Sequence, residues 1–132
     1  MFLDRLLNQG SMPVLEQMLQ FTDARQSLLA ENVANVSTPG YVQKDLSLDQ
    51  FQEILQKKVE EQESAAPGGV SFDDVSMDIQ QPQRSILFHD GNNRSMEQLM
   101  SDQAKNALMH NMAVELLRDQ YSMIETALRE GK

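Results

Sequence analysis

The side chains that could perform acid–base or metal chemistry are few in this chain and far apart. It contains two histidines, His89 and His110, and no cysteine. Two isolated histidines without a partner at helical spacing do not reach the ligand number of a zinc site. His89 stands beside Asp90, as a general base stands beside its orienting carboxylate, but a hydrophilic turn explains both residues. We therefore expect no catalytic residue, no metal and no cofactor.

Two further patterns of chemical interest are incomplete. Asp73, Asp74 and Asp78 offer carboxylates for calcium, but the EF-hand spacing with its central glycine and final glutamate is absent. The Pro-Gly-Gly run at residues 67–69 lacks the Gly-Lys-Ser/Thr that completes a phosphate-binding loop. A solvated acidic loop and a linker account for these stretches.

The composition narrows the classes of partner. The chain has 132 residues, a formal net charge of −9, nine methionines and only 5% aromatic residues. Such an acidic surface repels nucleic acid phosphates and anionic lipid, so we expect neither as a partner. No run of about 18 apolar residues exists, which argues against direct membrane insertion. Few large rigid anchors are present for a globular interior, and long helices suit this composition better.

A long helix is predicted between residues 14 and 36, with Pro13 in its first turn, where the missing N–H costs nothing. Its apolar or neutral positions recur at spacings of three and four. They are Leu15, Met18, Leu19, Thr22, Gln26, Leu29, Val33 and Val36. Because Thr22 and Gln26 dilute this stripe, the helix needs partner helices to be stable.

The helix must stop at Thr38-Pro39-Gly40-Tyr41. Pro39 keeps the preceding residue out of the α region, and Pro-Gly supplies the central pair of a type II turn with Gly40 at positive φ. Just upstream, Asn32 and Asn35 carry amides that can hydrogen-bond a neighbouring backbone. This edge therefore predicts a contact surface.

The middle of the chain is weakly apolar. Ser47 and Gln50 form a capping box for a short helix that begins at Leu48 and ends near Glu61. A linker is predicted at residues 63–69 and extended, strand-like chain at residues 70–79. Residues 63–88 do not reveal one conformation, and part of this middle segment is expected to be disordered.

A second long helix is predicted from Met96 to Glu130, opened by a capping box of Ser95 and Gln98. Its seam alternates spacings of three and four, as a coiled coil does. The seam residues are Met100, Gln103, Ala107, His110, Val114, Leu117, Tyr121, Ile124 and Leu128. Further apolar residues widen this face, so more than one helix must cover it.

These elements predict a mainly α fold, in which long N- and C-terminal helices pack as a coiled-coil-like bundle. Residues 1–42 and 93–132 would form the two helical halves of one core domain, and residues 43–92 a variable middle segment. Helical stability comes mostly from tertiary burial, and one hairpin cannot bury both wide faces. We therefore expect a loosely folded monomer that is completed by assembly.

Two sets of motifs resemble a known family. Asn-Val-Ala-Asn at residues 32–35, followed by Thr-Pro-Gly-Tyr at residues 38–41, resembles the signature of bacterial flagellar axial proteins. The sequence from Asp90 to Asn93, Ala-Lys-Asn-Ala-Leu at residues 104–108 and Gln-Tyr-Ser-Met at residues 120–123 resemble the flagellar basal-body rod protein family, proximal rod proteins of the FlgB type. The resemblance covers roughly residues 10–45 and 88–130.

The resemblance implies a non-enzymatic structural subunit of the proximal rod that self-assembles through its terminal helices. It also implies export by the flagellar type III secretion system without a cleaved signal peptide, and a place in the periplasmic portion of the basal body. Implied partners are copies of the chain, other rod subunits, and the inner-membrane ring and export-gate adaptor proteins of the flagellum.

The resemblance also implies two sets of contact residues. The subunit-contact turn would comprise Asn32, Ala34, Asn35, Thr38, Pro39, Gly40 and Tyr41. The helical interface would comprise Leu15, Met18, Leu29, Val33, Ala107, His110, Val114, Leu117, Tyr121, Ile124 and Leu128. His110 departs from the family, whose members commonly carry an aromatic ring at this position.

A second interpretation keeps the helices and changes their use. The chain would then be a soluble helical adaptor or chaperone-like protein whose seam receives a partner's helix. An adaptor forms a defined small complex with one partner and melts cooperatively, whereas a rod subunit gains helicity on joining other rod proteins.

Overall fold

The computed structural model describes residues 12–64, 75, 87–89 and 94–131. The first helix, α1, spans Met12–Ala34, and Pro13 lies in its first turn. The last helix, α3, spans Met96–Glu130 over 35 residues, which makes it about 52 Å long at 1.5 Å per residue. Its start is fixed by the capping box of Ser95 and Gln98, whose two reciprocal hydrogen bonds both form. The predicted bounds of α3 are confirmed.

Helices α1 and α3 pack against each other in antiparallel directions. Met12 and Leu15, at the start of α1, cluster with Ala113 and Leu117 of α3. Farther along α1, Thr22 contacts His110. Residues later in α1 therefore contact residues earlier in α3, as expected of antiparallel helices. The predicted fold class, a mainly α chain whose terminal helices pack together, is confirmed.

A middle helix, α2, spans Leu48–Ser64 and packs on another side of α1. Phe21 of α1 stacks on Phe51 of α2 with ring centroids 4.1 Å apart and planes within 8°. Leu46, Leu55 and Val75 complete this buried cluster. The predicted N-cap is present, since the Ser47 hydroxyl accepts a hydrogen bond from the Gln50 N–H at 3.3 Å.

The middle helix extends past its predicted end. Its last turns are polar and are supported locally: Gln56 donates to Glu60 at 3.2 Å, and the Ser64 hydroxyl donates to the Glu60 carbonyl at 3.0 Å. Such pairs one turn apart stabilise a helix without apolar burial. The predicted linker is therefore wrong at residues 63 and 64, which belong to the helix.

A two-stranded antiparallel sheet, whose pairing the sequence did not indicate, connects the segment after α1 to residues that precede α3. Strand β1 spans Lys44–Leu46 and pairs with β2 at Leu87–His89, with Asp45 opposite Phe88. The strand β1 lies next to α1, to which Asn32 and Arg25 bind it.

Several predictions fall on residues outside the described ranges. They concern the linker beyond residue 64, the acidic triplet at residues 73, 74 and 78, the Pro-Gly-Gly run and Asp90. Val75 is described, and it is helical and fully buried against the α1–α2 cluster. The predicted extended conformation is therefore wrong at Val75, whose own backbone is helical and whose side chain is buried in the core.

Candidate assembly surface

Helix α1 ends at Ala34, two residues before its predicted end, and the turn that follows at residues 38–41 has the predicted geometry. Gly40 has φ +76°, the left-handed value that a type II turn requires at its third residue. The Thr38 carbonyl accepts the hydrogen bond of the Tyr41 N–H at 3.2 Å, which closes the turn. A Cβ atom placed on Gly40 would meet nothing within 4 Å. Glycine is thus required here by backbone conformation and not by a shortage of space.

Asn32 holds the returning chain against α1. It is 1% exposed. Its Nδ2 donates to the Lys44 carbonyl at 2.6 Å, and its Oδ1 accepts from the Lys44 N–H at 3.1 Å. The Tyr41 hydroxyl donates to the same Oδ1 at 3.1 Å. One amide therefore fixes both ends of the segment between the turn and β1.

The surroundings of Tyr41 favour its protonated phenol. Burial, and after it the nearby Glu31 carboxylate, raise the pKa of Tyr41 above its ordinary value of 10.0. Both causes disfavour the negatively charged phenolate. The hydroxyl thus keeps the proton that it donates to Asn32 throughout the neutral range.

Asp45 connects β1 to two helices through buried ion pairs. Its carboxylate accepts Arg25 in a bidentate pair at 2.8 and 3.0 Å and Arg94 at 2.8 Å. It also accepts the Leu46 N–H at 2.8 Å. Arg94 extends the network to Asp102 of α3 at 2.9 Å. Asp45 is 3% exposed, so these pairs are shielded from water.

A polar layer crosses the α1–α3 interface. Asn106 is fully buried, and its Nδ2 donates to the Thr22 carbonyl and to Gln26 Oε1, each at 2.8 Å. One turn along α3, His110 Nδ1 lies 2.9 Å from Thr22 Oγ1. Buried polar side chains of this kind fix the register of paired helices, because a slipped register would leave them unpaired. The two stripe positions that appeared too polar for a core thus have specific partners.

The outer face of α3 is apolar and exposed. Leu108, Met112, Leu116 and Met123 are between 48% and 67% exposed and follow one side of the helix, away from the residues that face α1. Near the end of α3, Tyr121 and Leu128 are 51% and 46% exposed. Large apolar side chains exposed in such a line favour a contact with another protein.

The predicted turn residues lie in one place but differ in exposure. Ala34, Thr38, Pro39 and Gly40 are exposed, Asn35 and Tyr41 are partly buried, and Asn32 is buried. The Asn35 amide donates to the Glu31 carbonyl at 2.9 Å, and the Thr38 hydroxyl donates to Asn35 at 3.2 Å. Asn32 and Asn35 therefore build the turn from within, and Ala34 together with residues 38–40 forms its outward surface. Their contact with other subunits stays a prediction.

The predicted helical interface is divided between the inside and the outside of the chain. Leu15, Leu29 and Leu117 are buried, and Met18, Val33, His110, Val114 and Ile124 are partly buried, whereas Ala107, Tyr121 and Leu128 are exposed. Leu15, Leu117, Met18 and Ile124 meet in the α1–α3 cluster. The role of the whole set in subunit contact stays a prediction.

The residues of α3 that face α1 differ from the predicted seam at every second seam position. At those positions the buried residue is the one that precedes the predicted residue in the sequence. Leu99, Asn106 and Ala113 are fully buried, where the seam had Met100, Ala107 and Val114. The predicted seam did not include Asn106, and Leu99 and Ala113 were counted only among the further apolar residues that widen the face. The two neutral positions on α1, Thr22 and Gln26, were the signal that a polar partner was needed opposite them.

Within the described residues, no group of three histidine, cysteine, aspartate or glutamate side chains could hold a metal ion. A search of the same residues found no helix with the length and apolar character needed to cross a membrane.

Comparison with known proteins adds relatives of nearly the same length. The chain is 30% identical to the flagellar basal body rod protein FlgB of Yersinia enterocolitica, an alignment that covers 98% of this chain and 99% of the relative. The chain belongs to the FlgB family of flagellar basal body rod proteins. It is also 27% identical to the FlgB of Bacillus subtilis over 96% of its own length and 98% of the relative.

Membership of the FlgB family gives the chain a structural role in the flagellar basal-body rod and a location at the basal body. The resemblance drawn from the turn motif and the C-terminal motifs is confirmed. No family model matches the chain. No solved structure matches it either.

Proposed function

We propose that this FlgB-family chain is a self-assembling subunit of the proximal rod, joined to its neighbours through its terminal helices. The observation that carries the proposal is the outer face of α3. Leu108 and Met112 are 65% and 63% exposed one turn apart, and Leu116 continues the line at 48%. A helix that is apolar on two sides needs a second partner besides α1.

Covering this face would contribute free energy that favours assembly. Full burial of one leucine or methionine side chain stabilises by about 1.5–3 kcal/mol. Four such side chains on α3 are still largely in water, so covering them would add apolar burial to each subunit contact. Repetition along the rod turns individually weak contacts into a stable structure.

The turn provides a second contact surface in this proposal. Pro39 and Gly40 project as an exposed, rigid corner that is held from behind by Asn32 and the hydrogen-bonded Tyr41. Preorganisation reduces the entropy lost on binding. The turn would meet an adjacent subunit as a fixed shape.

Export completes the proposal. The chain would travel unfolded through the flagellar secretion system and take its place in the periplasmic part of the basal body. Its neighbours there would be other rod subunits, the inner-membrane ring and the export-gate adaptor proteins. A buried polar layer between α1 and α3 supports this route, because such layers hold register at some expense in stability and leave the hairpin easier to unfold.

Complementation of a deletion strain tests the proposed function. The double substitution Leu108→Gln with Met112→Gln makes the outer face polar without altering any α1 contact, and we expect it to abolish swimming and to remove the chain from purified basal bodies. Ser122→Gln on an exposed position of the same helix is the matched control and should swim normally. Normal incorporation of the double variant would contradict the proposal, and capture of one soluble partner in place of the basal body would favour the adaptor.

A further inference from the structure

Among the described residues, the methionines that are exposed all lie on α3. Met112 and Met123 are 63% and 67% exposed, Met100 is 58% exposed and Met96 is 39% exposed. Met12, at the start of α1, is only 2% exposed and belongs to the α1–α3 cluster. Small dissolved reagents therefore reach the methionine side chains of α3, whereas the neighbours of Met12 shield it.

Two of these methionines belong to the outer apolar face. Met112 and Met123 lie about three helical turns apart, so they project from the same side of α3. Leu108 and Leu116 lie one turn before and one turn after Met112, on that side. Met100 is turned away from Met112 by about a third of a revolution around the helix axis. The outer face thus carries two thioethers, and Met100 is an exposed thioether on another side of the same helix.

An exposed thioether reacts directly with hydrogen peroxide. The sulfur lone pair attacks one peroxide oxygen, a sulfur–oxygen bond forms, the oxygen–oxygen bond breaks, and one molecule of water is released. Sulfur loses two electrons and the peroxide gains them. The product, methionine sulfoxide, is polar, and methionine sulfoxide reductases return it to the thioether. Because the chain has no cysteine, its methionines are the first side chains that a peroxide oxidises.

We propose that Met112 and Met123 are oxidation sites, and that hydrogen peroxide prevents this chain from entering the rod by converting them to sulfoxides in the free subunit. The proposal rests on the proposed function, in which other subunits cover the outer face. Once that face is covered, Leu108 and Leu116 place apolar groups on both sides of Met112. These leucines offer the sulfoxide oxygen no hydrogen-bond donor in place of water, so its burial is unfavourable. The modification therefore acts before assembly, and the rod then shields the same thioethers.

The sites are tested on the purified full-length chain, which is treated with hydrogen peroxide and followed over time by peptide mass spectrometry. We expect Met112 and Met123 to be oxidised at least about tenfold faster than Met12, because the rate follows solvent access. Oxidation of Met12 as fast as that of Met112 would overturn the assignment of the sites.

The effect on assembly is tested in cells that lack methionine sulfoxide reductases, so that sulfoxides persist. The chain is induced, exposed briefly to hydrogen peroxide, and left to assemble after the peroxide is removed. Mass spectrometry then compares the soluble chain with the chain in newly built basal bodies. We expect the sulfoxides of Met112 and Met123 to be depleted in basal bodies by at least about tenfold, as the loss of one buried apolar side chain implies. The sulfoxide of Met100 should not be depleted, and equal depletion at Met100 would overturn the proposal.

Leucine variants supply the matched control. The double variant Met112→Leu with Met123→Leu keeps the apolar character and nearly the volume of the outer face and cannot form a sulfoxide there. After peroxide exposure it should build as many new basal bodies as without peroxide. Met100→Leu should stay as sensitive to peroxide as the unaltered chain. Equal sensitivity of the two variants would overturn the proposal.

The oxidation proposal and the proposed rod function fail in different ways. If the untreated chain is absent from basal bodies, the rod function fails, while the oxidation rates of the purified chain still decide whether the two sites react selectively. If the untreated chain assembles and its Met112 sulfoxide enters basal bodies as readily as its Met100 sulfoxide, the rod function stands and the oxidation proposal is overturned.

Discussion

The substitution Asp45→Asn should destabilise the subunit far more than its small change in shape suggests. The carboxylate accepts four hydrogen bonds at 2.8–3.0 Å from Arg25, Arg94 and the Leu46 N–H. In the variant, one carboxylate oxygen is replaced by an amide that faces guanidinium donors. Removing one partner of a buried ion pair costs about 3–5 kcal/mol, because the remaining charge stays buried. Native domains hold only about 5–15 kcal/mol in total.

The expected loss is measured by urea unfolding of the purified chain, followed by helical circular dichroism. Asp102→Asn is the matched control, since Arg94 is the one donor to Asp102 among the described residues and the Asp102 side chain is 25% exposed. It should cost at most about 1 kcal/mol, as partly exposed pairs do. If Asp45→Asn proves as mild as Asp102→Asn, the network does not hold β1 to the helices and the reasoning is refuted.

Three further predictions concern the turn and the α1–α2 cluster. Gly40→Val forces a β-branched residue to positive φ, so it should lower the free energy of unfolding by about 1–3 kcal/mol and abolish motility. A strain with the control Ser37→Val, in the same loop, should swim. A motile Gly40→Val strain would show that the turn does not need its left-handed residue. Because folding raises the pKa of Tyr41, the contribution of Tyr41 to the free energy of unfolding is complete below pH 10.0 and is lost as the pH rises above that value. Tyr41→Phe should therefore flatten the fall in unfolding free energy at alkaline pH. An unchanged pH profile would contradict the pKa shift. Phe51→Ala removes the ring stacked on Phe21 and should cost about 3–5 kcal/mol in the same urea assay, and a loss below 1 kcal/mol would mean that α2 is not anchored there.

Structural features that depend on residues close together in the sequence could be predicted. Ser95 and Gln98 satisfy each other's backbone donors within one turn, so the start of α3 follows from four residues. Pro39 and Gly40 likewise determine a type II turn without help from the rest of the chain. The fold class follows from these boundaries and from the apolar stripes between them.

Features that depend on distant partners could not be predicted in the same way. Asn106 is buried because Thr22 and Gln26, which are 84 and 80 positions away in the sequence, offer acceptors opposite it. Asp45 appears as one acid in an acidic stretch until the fold brings Arg25 and Arg94 to it. The burial of an apolar residue can be predicted from its type, whereas the burial of a polar residue depends on the partner that the fold brings to it.

The central claim is that the outer face of α3 is covered by other subunits in the rod. The chain has no cysteine, so Met112→Cys introduces a single thiol on that face. The most direct measurement is the rate at which a maleimide reagent labels this thiol in the purified chain and in isolated basal bodies. We predict rapid labelling of the free chain and strong protection in the basal body. Equal labelling in the two states would show that the face stays open to water, and would contradict the account.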